Sequence, residues 1–313
     1  MTLLLDIILV IGSIAMLWKG ADWLVEAASE IAHSLKISDL IIGLTVVAFG
    51  TSAPEFAVTI RAAITGQTDI SIGNVVGSNI FNLGFILGGT AMIRAIKITP
   101  KLLYRDGIFL FSVTLLIYIF FFGFNGWDIG DNISAIEGSI LFFTLVGYIL
   151  FLFVKKETIE ETHPKSATLN SYAYFFLGLF MIVLGGHFMV EHASSLARAF
   201  GVSDWVIAVT IVAAGTSAPE LATSLTAALK EKHGMAIGNL IGSDLFNLLG
   251  VLGLAGIINP TYIQADIHSS IIVLIIMVLM VLIMMRTGWK ISRAEGTLLV
   301  SLNLVRWYLD FAG

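Results

Sequence analysis

The sequence predicts an all-α integral membrane protein of ten transmembrane helices, arranged as two inverted five-helix repeats, and three observations predict it. The 313 residues have a mean hydropathy of +0.94, with 57% hydrophobic and only 12% charged side chains, the composition of a chain whose solvent is lipid. Hydrophobic runs long enough to cross a bilayer recur along the whole length. The second half repeats the first at a constant offset.

The runs fall at 3–30, 38–63, 70–93, 106–124, 134–154, 172–198, 203–229, 236–257, 267–286 and 294–311. The first continues past Trp18 without a small-residue cleavage site, so it reads as a span and not as a removed signal. With ten crossings, thirteen of the seventeen lysines and arginines share one side: Lys36, Arg94, Lys97, Lys101, Arg105, Lys155, Lys156, Lys165, Lys230, Lys232, Arg286, Lys290 and Arg293. The positive-inside rule makes that side cytoplasmic and puts both termini outside. The only polar linker, 155–171, is then a cytoplasmic loop between a first repeat, 1–154, and a second, 172–313. No cysteine is present, which excludes disulfides, thiolate metal sites and cysteine nucleophiles. The formal charge of -5 comes with no basic run long enough to track phosphates, so nucleic acid is not an expected partner.

"GTSAPE" occurs at 50–55 and again at 215–220, an offset of 165 (215 − 50). The same shift lays "GNVVGSNIFN" over "GNLIGSDLFN", with no gap between Gly20 and Leu83. Because each half has an odd number of spans, the second copy is inserted upside down, and paired motifs meet near the bilayer midplane. Each motif places a helix breaker and a carboxylate inside an apolar run. Pro54 and Pro219 give no N–H to the carbonyls of Gly50 and Gly215, which are then free to bind something else. Ala48, Thr51, Ser52 and Glu55 share one helix face, as do Ala213, Thr216, Ser217 and Glu220. The next span of each half adds a stripe at spacing four, Asn74, Ser78 and Asn82 or Asn239, Ser243 and Asn247. The glycine pairs beside them, Gly73 with Gly77 and Gly238 with Gly242, admit a close neighbouring backbone.

Hydroxyls, amides, carbonyls and two carboxylates, without histidine or thiolate, suit a hard cation such as calcium, which takes six to eight oxygens; zinc or copper asks for nitrogen or sulfur. A charge at the centre of a span costs about 2.5–3.5 kcal/mol on insertion scales, so two facing carboxylates demand a compensating charge. One divalent or two monovalent cations supply it.

At these residues the sequence resembles the sodium/calcium exchanger family of the cation/calcium antiporter superfamily, in its bacterial or archaeal type. The resemblance covers nearly the whole chain. It implies a secondary active antiporter, not an enzyme, that exchanges calcium for sodium by alternating access, the first and sixth spans sliding across the other eight. It implies that Glu55 and Glu220 bind calcium with the backbone oxygens of Thr51 and Thr216. Ser52, Ser78 and Ala48 would line one sodium position, Ser217, Ser243 and Ala213 its mate, with Asn82 and Asn247 in the middle. The expected partners are the two ions and the lipid of the plasma membrane, with no cofactor and a monomer as the unit. Relatives that carry aspartate where Asn247 stands include potassium-dependent exchangers, so the resemblance argues against potassium co-transport. The "GN" blocks lack the glutamate of proton-coupled relatives, which favours sodium. Asp244 stands where relatives often have asparagine, and sequence assigns it no role.

Other readings remain in view. A proton-driven calcium antiporter is the nearest alternative, and a cation channel would also line a pore with carboxylates and carbonyls. An intramembrane serine hydrolase on Ser52 or Ser217 lacks a base at matching depth. Glu26 and Glu191 are expected at helix ends or packing contacts, outside the site. His187 and His192 are expected to lack acidic company. The asparagine stripes by themselves read equally well as glue between helices.

Overall fold

The computed structural model describes residues 2–122, 132–155, 167–202, 207, 211, 213–262 and 265–312. In chain order, α1 is Thr2–Leu35, α2 Asp39–Thr51, α3 Ala53–Ile64, α4 Ile70–Ile93, α5 Leu102–Phe122, α6 Ala135–Val154 and α7 Leu169–Ala199. The second half continues with α8, Ala213–Thr216, α9, Ala218–Leu229, α10, His233–Ile258, α11, Ala265–Arg286, and α12, Arg293–Ala312. Among the described residues seven helices are long and apolar enough to cross a membrane, and the bent pair α2–α3 makes an eighth span. The expected seventh span, 203–229, falls partly outside the described residues. The expected tenth is α12, a helix that carries Arg293, Glu295, Arg306 and Asp310 among its 20 residues.

Among the described residues, four two-residue strands stitch the halves together. β1 (Ile96–Lys97) pairs antiparallel with β4 (Lys290–Ile291), and β2 (Asn132–Ile133) with β3 (Thr261–Tyr262). Each pairing joins a loop of the first half to one of the second.

The centre of the molecule is α10. Every residue from Met235 to Val251 is buried, as expected for a helix apolar nearly all round. Its glycines bring α2 against it: a Cβ on Gly238 would meet the Leu40 carbonyl at 2.8 Å, and one on Gly242 the Leu44 carbonyl and the Ala48 Cβ, both at 2.7 Å. This close approach is what the Gly238–Gly242 pair predicts. The corresponding neighbours of Gly73 and Gly77 would come from a segment that lies largely outside the described residues.

α1 and α7 form a second glycine seam. Gly20 and Gly178 face each other's backbone, each within 2.8 Å of the other's carbonyl once a Cβ is added, and Gly185 meets the Ser13 carbonyl at 3.1 Å. α7 also lies over both proline motifs, Leu179 packing on Gly50 and Val190 on Gly215. Both α4 and α10 widen into π turns, Asn82–Leu87 and Phe246–Val251. Such single-turn widenings recur where a helix carries function, and here they begin at or beside the expected site asparagines.

Candidate functional site

The break that delivers Glu55 is built by its own sequence. α2 ends at Thr51, Ser52 departs from helical geometry (φ −78°, ψ 7°), and α3 restarts with Pro54 in its first turn, bent by 51° from α2. Proline suits a first turn because the N–H it lacks has no intrahelical partner there. The carbonyl freed at Gly50 is not left wholly open, as the sequence suggests. The Ser52 N–H, bonded to the Ala48 carbonyl at 3.0 Å, also reaches it from within the turn. Glu55 is the third residue of α3, where unpaired N–H groups favour a carboxylate. The second half repeats the device with Ser217 (φ −90°, ψ 11°), Pro219 and Glu220.

Ser52 and Ser217 occupy helix N-cap positions, where a serine ordinarily accepts from the N–H groups that follow. Neither does. Ser52 Oγ donates across the molecule to Glu220 Oε1 at 3.1 Å, and Ser217 Oγ donates back to Glu55 Oε1 at 3.0 Å. Each carboxylate is thus held by the hydroxyl of the other motif, and both glutamates are only 1% exposed. Thr51 Oγ1 lies 3.1 Å from Asn239 Oδ1 and 3.5 Å from Ser243 Oγ, which is itself 3.5 Å from Glu220 Oε1. Behind these, Asn74 Nδ2 donates to Thr59 Oγ1 at 2.9 Å and Asn239 Nδ2 to Ser224 Oγ at 3.0 Å, the same bond made once in each half.

A second polar cluster joins α4 to α10. Asn82 Nδ2 donates to Asp244 Oδ1 at 3.0 Å, Asn247 Nδ2 to Asn79 Oδ1 at 3.0 Å, and Asn79 Nδ2 to the Asp244 carbonyl at 3.2 Å. Asp244 follows Ser243 in α10, so both clusters draw on that helix. All four side chains are buried.

Five oxygens of this region are buried without a hydrogen-bond partner among the described residues: Glu55 Oε2, Glu220 Oε2, Asn82 Oδ1, Asn247 Oδ1 and Asp244 Oδ2. An unsatisfied buried acceptor costs about 1–3 kcal/mol, and more when charged, so unpartnered oxygens spread over the two clusters ask for positive partners. These are hard oxygen donors, and no group of three histidine, cysteine, aspartate or glutamate side chains gathers anywhere among the described residues. The chemistry on offer is coordination of a hard cation, with neutral oxygens completing two carboxylates.

Of the twelve site residues expected from sequence, Glu55 and Ser217 form one hydrogen-bonded pair, and Glu220, Ser52, Ser243 and Thr51 form a second hydrogen-bonded set. Ala48 borders it, its carbonyl 3.3 Å from Thr51 Oγ1. Asn82 and Asn247 lie in the adjoining cluster, Ser78 is buried on the same helix as Asn82, and Thr216 is half-buried. Ala213 opens α8, and its side chain lies outside the described residues. Asn239 and Asn79 take part without having been expected in the site. For Asn239 the spacing-four stripe was the available signal. For Asn79 there was only its position, 165 residues before Asp244 (244 − 79).

Glu26 and Glu191 stand outside the site, 62% and 59% exposed at the side chain, one paired with Lys230 and the other near His187. The two histidines do have acidic company, contrary to expectation: His192 Nδ1 lies 2.8 Å from Asp6 Oδ1, and His187 Nε2 3.7 Å from Glu191 Oε2. For His192 the reason is that α1 and α7 run side by side, which sequence spacing along one helix does not reveal; His187 and Glu191 are an i,i+4 pair along α7, which the spacing does carry.

The sequence profile described as sodium/calcium exchanger protein matches residues 5–154 and 170–309. The sodium/calcium exchanger MaX1 of Methanosarcina acetivorans is 34% identical, with 94% of this chain and 95% of that protein covered. The inner membrane protein YrbG of Escherichia coli is 31% identical over 95% of this chain and 94% of its own. A solved structure of the sodium-calcium exchanger NCX_Mj, soaked with 10 mM Na+ and zero Ca2+, superposes with a TM-score of 0.84 at 29% identity, covering 97% of this chain and 98% of that one. With both halves matched by one profile and the fold matched over almost its full length, the chain belongs to the sodium/calcium exchanger family.

Proposed function

We propose that this chain is a calcium/sodium antiporter of ten spans in two inverted repeats, 1–154 and 172–313, joined by a cytoplasmic loop at 155–171, in the plasma membrane with both termini outside. The observation that carries the reading is the crossed pair Ser52–Glu220 and Ser217–Glu55, which holds two buried carboxylates together and leaves one oxygen of each unpartnered. Two like charges in a dry site are too costly to carry empty, because desolvation and repulsion add. A doubly charged calcium ion, or two sodium ions, neutralises them, and either loaded form can be occluded and re-exposed on the opposite side. Glu55, Glu220 and the Thr51 and Thr216 backbones form the calcium position. Ser52, Ser78 and Ala48 serve one sodium position, Ser217, Ser243 and Ala213 the other, with Asn82 and Asn247 between them. Exchange follows because only neutralised states cross; a ligand that favours both orientations equally shifts neither. The names of MaX1 and of the NCX_Mj structures point to the same pair of ions.

The test is calcium flux in proteoliposomes under sodium, potassium and proton gradients imposed one at a time. Only the sodium gradient should drive calcium against its own gradient. Uptake that follows a pH step in sodium-free vesicles would establish the proton-driven alternative, and gradient-independent, non-saturating flux would establish a channel.

A further inference from the structure

We infer that Asn79 and Asp244 are positioning residues for the exchange site: they fix which end of the Asn247 and Asn82 carboxamides faces the ion. The inference rests on reading Asn82 and Asn247 as ion ligands. A carboxamide has two faces of opposite use, an oxygen that accepts and an NH2 that donates. Only the oxygen can ligate a cation; the NH2, turned inward, would repel it. The structure consumes the donor end of each amide. Asn82 Nδ2 donates to Asp244 Oδ1 and Asn247 Nδ2 to Asn79 Oδ1, both at 3.0 Å, and the opposite atoms, Asn82 Oδ1 and Asn247 Oδ1, are buried and unpartnered. Before an ion binds, their orientation is set by what binds their nitrogens, since the direction of an amide follows from its hydrogen-bond network.

The same bond is made twice with the halves exchanged. At the offset of 165, Asn82 corresponds to Asn247 (247 − 82) and Asn79 to Asp244, so each ligand amide is held by the residue three positions before the other. The two holders differ for a reason the geometry supplies. Asn79 is itself an amide and must be kept from turning, and its Nδ2 is tied to the Asp244 backbone carbonyl at 3.2 Å so that Oδ1 faces Asn247. A carboxylate offers an acceptor whichever way it is turned. Asp244 needs no such tie.

A plain packing role, gluing α4 to α10, predicts lost stability without a defined effect on ions. A direct charge effect of Asp244 predicts a loss that persists when Asn82 is gone. Positioning predicts neither. Full-length protein purified in detergent is titrated with calcium by calorimetry, with size-exclusion profile and thermal unfolding as fold controls. Asp244→Ala and Asn79→Ala should each weaken calcium binding about tenfold, the low end for removing a partner that orients a metal ligand. The conservative variants Asp244→Asn and Asn79→Asp, which keep an acceptor opposite the amide, should bind at least about fivefold more tightly than the corresponding alanine variants. Asp244→Ala added to Asn82→Ala should cost nothing further, because both remove one unit. Additive losses in that double variant, or a conservative variant as weak as the alanine one, overturn the inference; should the alanine variants fail to fold, the conservative pair decides it against wild type, binding within about twofold being expected and a loss of about tenfold overturning it. Wild-type protein that binds no calcium at all defeats the reading of the site and this inference together, whereas additive losses in a calcium-binding protein defeat only the inference.

Discussion

The carboxylate cluster and the asparagine cluster are built on the same two-fold relation, yet only the crossed serine–glutamate pairs obey it residue for residue, while the bonds around them keep the bond and not always the residue. Around the glutamates, Ser52 to Glu220 is matched by Ser217 to Glu55, and the Asn74–Thr59 bond by Asn239–Ser224. In the asparagine cluster one residue in four departs, Asp244 facing Asn79 across the axis. The difference teaches where identity is required and where only an equivalent bond is. The two carboxylates share one ion and carry equal charge, so each half has to supply the same group. A residue that only accepts a hydrogen bond from an amide can be aspartate or asparagine.

The largest effect expected from this comparison comes from breaking the carboxylate pair. Glu55→Gln and Glu220→Gln should each reduce sodium-gradient-driven calcium uptake to background in proteoliposomes, because calcium affinity follows the number of ligand charges and a single glutamate neutralises half of a divalent ion. The symmetry makes a sharper demand. Calcium affinities of the two variants should agree within a few fold, and near-normal uptake in either would show that the halves do not share the ion.

A smaller effect tests the crossing itself. Ser52→Ala and Ser217→Ala each remove a hydrogen bond to a buried carboxylate, worth about 1.5–3 kcal/mol, which corresponds to roughly a ten- to hundredfold loss of calcium affinity at about 1.4 kcal/mol per factor of ten. Titration calorimetry on the folded variants reads it. Because the two bonds are 3.1 and 3.0 Å long and equally buried, the losses should be alike. A loss confined to one serine would mean that the crossed bonds are a packing coincidence in one direction.

Much of the carboxylate cluster was legible in the sequence, and for a physical reason. A glutamate and a proline inside an apolar run are each costly in lipid, so their coincidence at 50–55 and 215–220 is enough by itself to mark a site. Helix periodicity then placed Thr51, Ser52 and Glu55 together, and the glycine spacing at 238 and 242 announced the close contact of α2 with α10. What sequence did not carry is anything set by a neighbour on another helix. That Ser52 bonds to Glu220 and leaves its cap unmade depends on the two motifs meeting across 168 residues. Asn79 reads alone as one more polar residue on a buried helix, and Asp6 meets His192 only because α1 and α7 lie along the same seam.

The smallest expected effect lies where the halves diverge most, at the edge of the α1–α7 pair. Lys230 Nζ lies 2.5 Å from both Asp22 Oδ1 and Glu26 Oε1, tying α1 to the turn between α9 and α10. The positions that correspond at the same offset are Thr65, His187 and Glu191, of which only the last two are near each other, at 3.7 Å. The lysine link therefore has no mate. Glu26 is 62% exposed at its side chain, and exposed pairs contribute about 0.2–1 kcal/mol, so Lys230→Gln should lower the thermal unfolding midpoint slightly at low ionic strength and not at all in high salt. Burial draws the Lys230 ammonium down, but its hydrogen bonds to Asp22 and Glu26 outweigh burial and hold it above the ordinary lysine range. A cation raised in this way stabilises the fold below its unfolded pKa, about 10.4 for lysine, and the contribution is lost as pH rises through the folded value. The difference between wild type and Lys230→Gln should therefore be flat from pH 7 to about pH 10 and shrink above it. A difference that instead vanishes between pH 7 and 8 would mean that the stabilising group is not this lysine, and the tie between α1 and the turn after α9 would have to be sought in another residue.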